Sequence, residues 1–518
     1  MKRTKKAVFL CLISLLFLLL TGMSAEAAEI SDADLAAAQG NPDAITSLDQ
    51  LNGKDIGCLE GSNYIGQVRN KFDESTVLEY NSNADLIAAL KSGRIAAYII
   101  DDPIARIHLR ETEGITVIDE FITRDRYGFM LNLKDQELCN DINAVISELK
   151  EEGFLDELKE KWVTSQDSPV FDTSQPWDKP NGTLKVSLSL DSIPFAYLQN
   201  GEIVGYDVEL IYGIAEKLGY GVEITTYEFS ALLESISSGR EDVAVGCISY
   251  TPERAEKFLF TDSTYDNGSV AVVLDGSVSS KGFLEKLGES FERTFIKESR
   301  WKLVANGLLV TLELSVLTLI FGSLAGFGFS FLLRSKNRVI RSVSCAVSTV
   351  IGGLPLLIIL MVFYYIIFAK TTVSAVLIGV IGLSLNFANV VAGLLNAGVE
   401  SVDKGQIEAA ESMGYPKRKI FTKIIFPQAA NHIFSQYIGS VIGMIKGTSV
   451  IGYITVVDLT KAGDIIRSLT YEAFFPLISV AAIYFMFAQI ITAVLKMIAK
   501  RMNPKHRKRQ IKGVKVHD

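Results

Sequence analysis

The 518-residue chain carries only four histidines and five cysteines. Cys11, Cys58, Cys139, Cys247 and Cys345 form no CxxC pair and no regular spacing, and no His lies near another His or Cys. Neither a disulfide framework nor a zinc centre is therefore expected, and no metal or other cofactor is called for. No P-loop of the GxxxxGKS or GxxxxGKT form occurs, which assigns any nucleotide hydrolysis to another polypeptide and makes this chain a non-enzyme. Charge is sparse as well, at 21% of residues against 48% hydrophobic. That balance is too apolar for an ordinary soluble enzyme and too charged for a chain that is membrane throughout. The 51 basic residues are outnumbered by 59 acidic ones, for a net charge of −8, and eight of the basic ones crowd into residues 500–518 beside an apolar stretch. This argues against a nucleic-acid partner.

What is present falls into two unlike halves. Lys2, Arg3, Lys5 and Lys6 precede the apolar run Ala7 to Leu20, and Ala25-Glu26-Ala27 follows, so residues 1–27 read as a secretory signal. From Ala28 to about Gly276 the sequence is soluble in character. Leu86 to Arg94 and Leu232 to Arg240 share one pattern: an apolar helix, a Gly, and then an apolar run. Each predicts a helix closed by a left-handed Gly and feeding a buried strand. Two such turns suggest two α/β lobes, with ligand sites at the strand ends. Asp135 to Val163 reads as an amphipathic helix pair broken at Gly153, and residues 164–181, with three prolines between Ser165 and Pro180, as a linker.

Five long apolar stretches follow: Leu303 to Leu333, Val343 to Ala369, Val373 to Val399, Asn431 to Val457, and Ala473 to Leu495. Each is long enough to cross a bilayer. Arg334 to Arg341, the Lys417-Arg418-Lys419 segment and the tail 499–518 are basic, which places them in the cytoplasm and the first half outside it. Glu313 and Lys446 are charges within the apolar stretches, open to a structural or a pathway role.

Residues 403–428 contain Glu408-Ala409-Ala410, then Gly414, then Ile424-Ile425-Phe426-Pro427. This resembles the coupling loop of ABC importer permeases, EAA-x3-G-x9-I-x-L-P, with Phe426 in place of the Leu. Asn306-Gly307, Pro355-Leu356-Leu357 and Lys446-Gly447-Thr448 are similar to the polar amino acid branch of that family, over about residues 300–498. Gly352-Gly353-Leu354-Pro355 departs from it by lacking an Arg. The resemblance implies a permease homodimer, a separate ATPase subunit that grips the loop, and a multi-pass cell-membrane protein.

The soluble half is similar to the amino-acid-binding proteins that serve such importers. On that resemblance Arg254 and Ser249 hold the ligand carboxylate with backbone amides near Cys247, while Asp101, with Asp102 as fallback, takes the ammonium. Glu60-Gly61-Ser62-Asn63 supplies further donors. Phe195 and Phe229 stand as pocket walls or as core aromatics. The lobes run in an order opposite to the relatives', so the fold expected is a two-lobed type II binding-protein-like domain, circularly permuted, with lobes at 45–163 and 182–275, ahead of an all-α five-helix membrane domain at 300–498. The function expected is that of an importer subunit for polar amino acids, glutamine- or glutamate-like. A ligand-gated channel is the alternative, although no TVGYG-like filter appears.

Overall fold

The computed structural model describes residues 45–165, 169–275, 283–369, 371, 373–472 and 474–502. The expected signal segment and the tail beyond 502 lie outside the described residues.

The first lobe is a five-stranded sheet in the order β2 (Thr76–Tyr80), β1 (Asp55–Leu59), β3 (Ala97–Asp101), β12 (Tyr265–Leu274), β4 (Ile115–Tyr127). β1 runs parallel to β2 and β3, and β12 runs antiparallel to β3 and β4. The apolar run of β3 is buried along its whole length, as expected for a central strand covered on both faces. Helices α1 (Tyr64–Lys71), α2 (Asn83–Lys91) and α3 (Asp102–Glu111) make the crossovers. The second lobe orders β11 (Phe258–Phe260), β5 (Met130–Asn132), β10 (Val243–Ala244), β6 (Thr183–Leu188) and β9 (Gly221–Thr226). It is covered by α4 (Gln136–Glu151), α5 (Phe154–Lys159), α6 (Tyr206–Leu218) and α7 (Phe229–Ser237). Both foreseen helix-to-strand turns are present: α2 ends at Gly93 and α7 at Gly239, with φ of +69° and +67°.

The lobe boundaries differ from those expected. Residues 265–274, expected in the second lobe, form β12 at the heart of the first sheet, and residues 130–163, expected in the first, pack on the second. Lys161 Nζ and Trp162 Nε1 both donate to Glu209 of α6, at 2.6 and 2.7 Å. Lys217 of α6 reaches Glu148 and Glu152, each at 2.8 Å. Alternating apolar residues mark a strand but not the sheet that it joins. The chain therefore passes between sheets near 127–130 and 260–265, whereas the segments on either side of the expected linker both belong to the second lobe.

In the second half, α10 (Trp301–Leu333), α13 (Ala375–Glu400), the helix Ile433–Ile454 and α18 (Phe474–Met502) each hold a straight stretch long and apolar enough to span a bilayer. The expected span 343–369 is instead two helices, α11 (Arg338–Gly353) and α12 (Leu356–Val362, continuing to Ile367), bent by 107°. Pro355 causes the break: it has no N–H to donate, and it drives Leu354 into extended backbone at ψ 137°. Among the described residues the count is thus four, or five if the bent pair is one span. α10 and α13 approach closely at Gly326, where a Cβ would lie 2.7 Å from the Ala388 carbonyl oxygen.

Between α13 and α16 (Phe426–Gly447) lie α14 (Lys404–Ser412) and α15 (Lys417–Ile420). Asp403 caps α14 by accepting from Gly405 N at 2.6 Å, and Gly414 turns the chain at φ +77°. Glu408, Ala409, Gly414 and Pro427 are exposed, while Ala410 is buried. An amphipathic helix, α17 (Leu459–Thr470), precedes α18 and lies against the first half of the chain.

Candidate functional site

A cleft between the two lobes is lined by Ser62, Asn63 and Tyr64 at the start of α1, Asn83 at the start of α2, and Ile100 and Ile104. The opposite wall is made by Asp191, Ser192, Phe229, Cys247, Ser249 and Arg254. Strand ends and helix starts meet here because each βα unit delivers its loop to the same edge of its sheet. The void is small, about 30 Å³, and it widens if the lobes part or side chains turn.

Arg254 follows Thr251, whose hydroxyl accepts from Arg254 N at 3.2 Å and caps the short helix α8 (Pro252–Ala255). Its guanidinium donates to the Ser249 carbonyl at 3.0 Å and, across the cleft, to the Gly61 carbonyl at 3.1 Å. A second cross-lobe contact joins Asn83 to Asp191, with Asn83 N donating to the carboxylate at 3.1 Å and Asn83 Nδ2 to the Asp191 carbonyl at 3.0 Å.

Asp101 lies one layer behind the wall and is 1% exposed. Its Oδ2 accepts from the Tyr127 hydroxyl, the Tyr64 hydroxyl lies beside the same carboxylate, and among the described residues Oδ1 has no donor in hydrogen-bonding geometry. Burial pushes this carboxyl up to about 7, against the opposing pull of the two hydroxyls. Tyr64 and Cys247, both at the cleft, are its neighbours.

Several expected residues therefore gather: Arg254, Ser249, Ser62, Asn63, Phe229 and Cys247 line one cleft, with Asp101 behind it. Three do not. Phe195 is fully buried in an aromatic cluster, with ring centroids 5.3 Å from Tyr127 and 5.0 Å from Tyr265. Glu60 is exposed and does not line the cleft. Asp102, the fallback, pairs with Arg106 at 3.0 Å. An aromatic in a strand-end sequence reads alike as wall or core, and only the neighbouring sheet decides between them.

The sequence reading missed Asp191, Asn83 and Asp207. Asp207 Oδ2 accepts from Gly246 N at 3.1 Å and Cys247 N at 3.0 Å, and so fixes the turn in which Cys247 takes φ +57°. Burial raises this carboxyl to about 7, while the two amides pull it down. The signal was an acid at helical spacing with the buried Leu210, Ile211 and Ile214.

The lobes rest on the membrane half. Arg240 stacks over the Tyr364 ring at 3.5 Å and donates to the carbonyls of Tyr364 and Phe368 at 3.0 and 3.3 Å. Lys461 and Arg467 of α17 pair with Glu228 and Asp85.

A two-lobed α/β unit seated on a bundle of membrane-length helices defines a class, a membrane permease that carries a binding-protein-like domain. Residues 318–504 match the family of the binding-protein-dependent transport system inner membrane component. Over 203 residues, 38% of this chain and 92% of the relative, the sequence is 36% identical to the putative glutamine transport system permease protein GlnP of Rickettsia conorii. Over 201 residues it is 27% identical to the arginine transport system permease protein ArtQ of Bacillus subtilis, again covering 92% of the relative. A solved structure of an amino acid ABC transporter with histidines aligns at 31% identity, with 43% of this chain and 100% of that one covered and a TM-score of 0.38. The chain belongs to the inner membrane component family of binding-protein-dependent transporters, and is a transport subunit and not an enzyme.

Proposed function

We propose that the chain is both receptor and permease of an ATP-driven importer of polar amino acids. The observation that carries this is the convergence of Arg254, Ser249 and the α1 start on one inter-lobe cleft, with Asp101 one layer behind it, in a chain whose second half matches the permease family. An Arg fork suits a carboxylate, and the start of α1 adds backbone donors. Asp101 takes the ammonium, so opposite ends of one zwitterion are held by different lobes, and closure follows binding. The interleaved strand order fits a circularly permuted type II binding domain. The 36% identity to a putative glutamine permease supports a glutamine-like ligand, as do the amide and carboxylate of Asn83 and Asp191 in the cleft.

In this reading the lobes lie outside the cytoplasm and the C-terminus inside. Two copies of the chain form the pathway, and a separate ATPase grips α14 and α15, whose exposed charges and Gly414 turn suit a coupling element. Tethering raises the receptor's local concentration at its own gate. Calorimetry of the full chain in nanodiscs against the twenty amino acids is expected to identify a polar amino acid ligand. Binding of none of them would sink the receptor reading. Uptake into proteoliposomes that requires both the ligand and the partner ATPase with ATP is expected, whereas ligand-gated flux without ATP would favour the channel.

A further inference from the structure

α17 belongs to the membrane half, yet it touches both lobes at the mouth of the cleft. Asp458 caps it by accepting from Lys461 N at 3.0 Å and also accepts from the Tyr484 hydroxyl of α18 at 2.9 Å. Leu459 N donates to Thr311 Oγ1 of α10 at 3.1 Å. The helix start is thus pinned to two membrane-length helices. Farther along, Lys461 pairs with Glu228 of the second lobe and Arg467 with Asp85 of the first. Both basic side chains are largely buried, at 11% and 14% exposure, so these pairs are screened less than surface ones.

Each acidic partner lies beside a residue of the cleft wall: Asp85 is two residues beyond Asn83, and Glu228 immediately precedes Phe229. The hydroxyl of Ser468 lies beside the Asp191 carboxylate, itself a wall residue and part of the cross-lobe contact with Asn83. Ile465 and Tyr471 pack into the apolar cluster to which both lobes contribute, and the Tyr471 ring meets His108 of α3 edge-on at 4.6 Å. Arg467 lies six positions after Lys461, about 9 Å along a helix axis. A rigid rod of that length cannot follow two lobes that move apart.

We propose that α17 is a strap across the cleft mouth that senses closure, holding one lobe through Arg467–Asp85 and the other through Lys461–Glu228. Opening breaks at least one pair, and the strain or its release passes through Asp458 and Thr311 to α18 and α10. This rests on reading the lobes as a ligand clamp, but not on which ligand the clamp takes.

The test uses the full chain in nanodiscs, with Cys345→Ser and spin labels at Asp73→Cys and Glu216→Cys, exposed positions on opposite lobes. Distance distributions are recorded first without ligand and then with L-glutamine as the probe. Arg467→Ala and Lys461→Ala are each expected to raise the open fraction about fivefold. The charge exchange Asp85→Arg with Arg467→Asp is expected to restore the parent distribution, which a merely unfolded variant cannot do. An unchanged distribution in the Arg467→Ala, Lys461→Ala double variant would overturn the strap. If L-glutamine moves nothing while the alanine variants still open the lobes, the strap stands and only the choice of ligand falls.

Discussion

The clamp and the membrane bundle bury their backbones in opposite ways. In the clamp, polar side chains reach buried donors, as Asp207 does for Gly246 and Cys247. In the bundle, side chains are removed so that helices touch, as at Gly326 against Ala388 and Val391. The difference teaches where each half is fragile. Loss of a polar atom strands a buried amide in the clamp, whereas added volume forces helices apart in the bundle.

The largest effect expected is from Asp207→Ala, which leaves two amides without an acceptor. About 3 kcal/mol of clamp stability should be lost, read as a lower unfolding midpoint, with Asp207→Asn losing less. Arg254→Ala tests the same half by function: affinity for the amino acid ligand should fall about a hundredfold with little change in melting. Equal loss of both would make Arg254 a structural residue only. On the bundle side, Gly326→Leu should cost about 2 kcal/mol or prevent assembly, whereas Gly328→Leu, with open space around it, should be close to neutral. Matching outcomes for the two glycines would erase the contrast drawn between the halves.

Acidity should separate the clamp's own stability from its grip on ligand. The Asp101, Asp191 and Asp207 carboxyls are all raised to about 7, burial being the first cause in each. The folded clamp then holds more protons than the unfolded chain between about pH 4 and 7. Ligand-free stability is fully present below the ordinary carboxylate range and declines as pH rises through about 7. Binding of an ammonium needs ionised Asp101, so affinity should instead fall about tenfold per unit as pH drops below 7. Melting and calorimetry from pH 5 to 8 check both signs. The smallest effect belongs to the loop: Gly414→Ala, forced into φ +77°, should cost about 1 kcal/mol locally. It should lower ligand-stimulated ATP hydrolysis by the partner subunit without altering ligand affinity.

Much of this was legible in the chain itself. The turns at Gly93 and Gly239, the straight apolar spans and the helix–Gly–helix at 404–420 rest on local periodicity and one special residue each, which act over a few positions. The placement of β12 in the first sheet, the core position of Phe195 and the Asp191–Asn83 contact were not legible. They depend on partners 68 (Phe195 and Tyr127) to 174 (Val272 and Tyr98) residues away, and nothing within a strand's alternation names its neighbour. The bend at Leu354-Pro355 lay between these cases: its residues were visible, but a break inside an apolar run was read through as one span.

Sequence alone determined the division into a polar α/β half and a bilayer-length half, because hydropathy and turn chemistry are written residue by residue. Tertiary structure alone decided which strands share a sheet, which carboxylates are buried and which permease helix meets the cleft. Those outcomes depend on what stands opposite each side chain in space, and the hydrophobic effect that assembles them has no direction of its own.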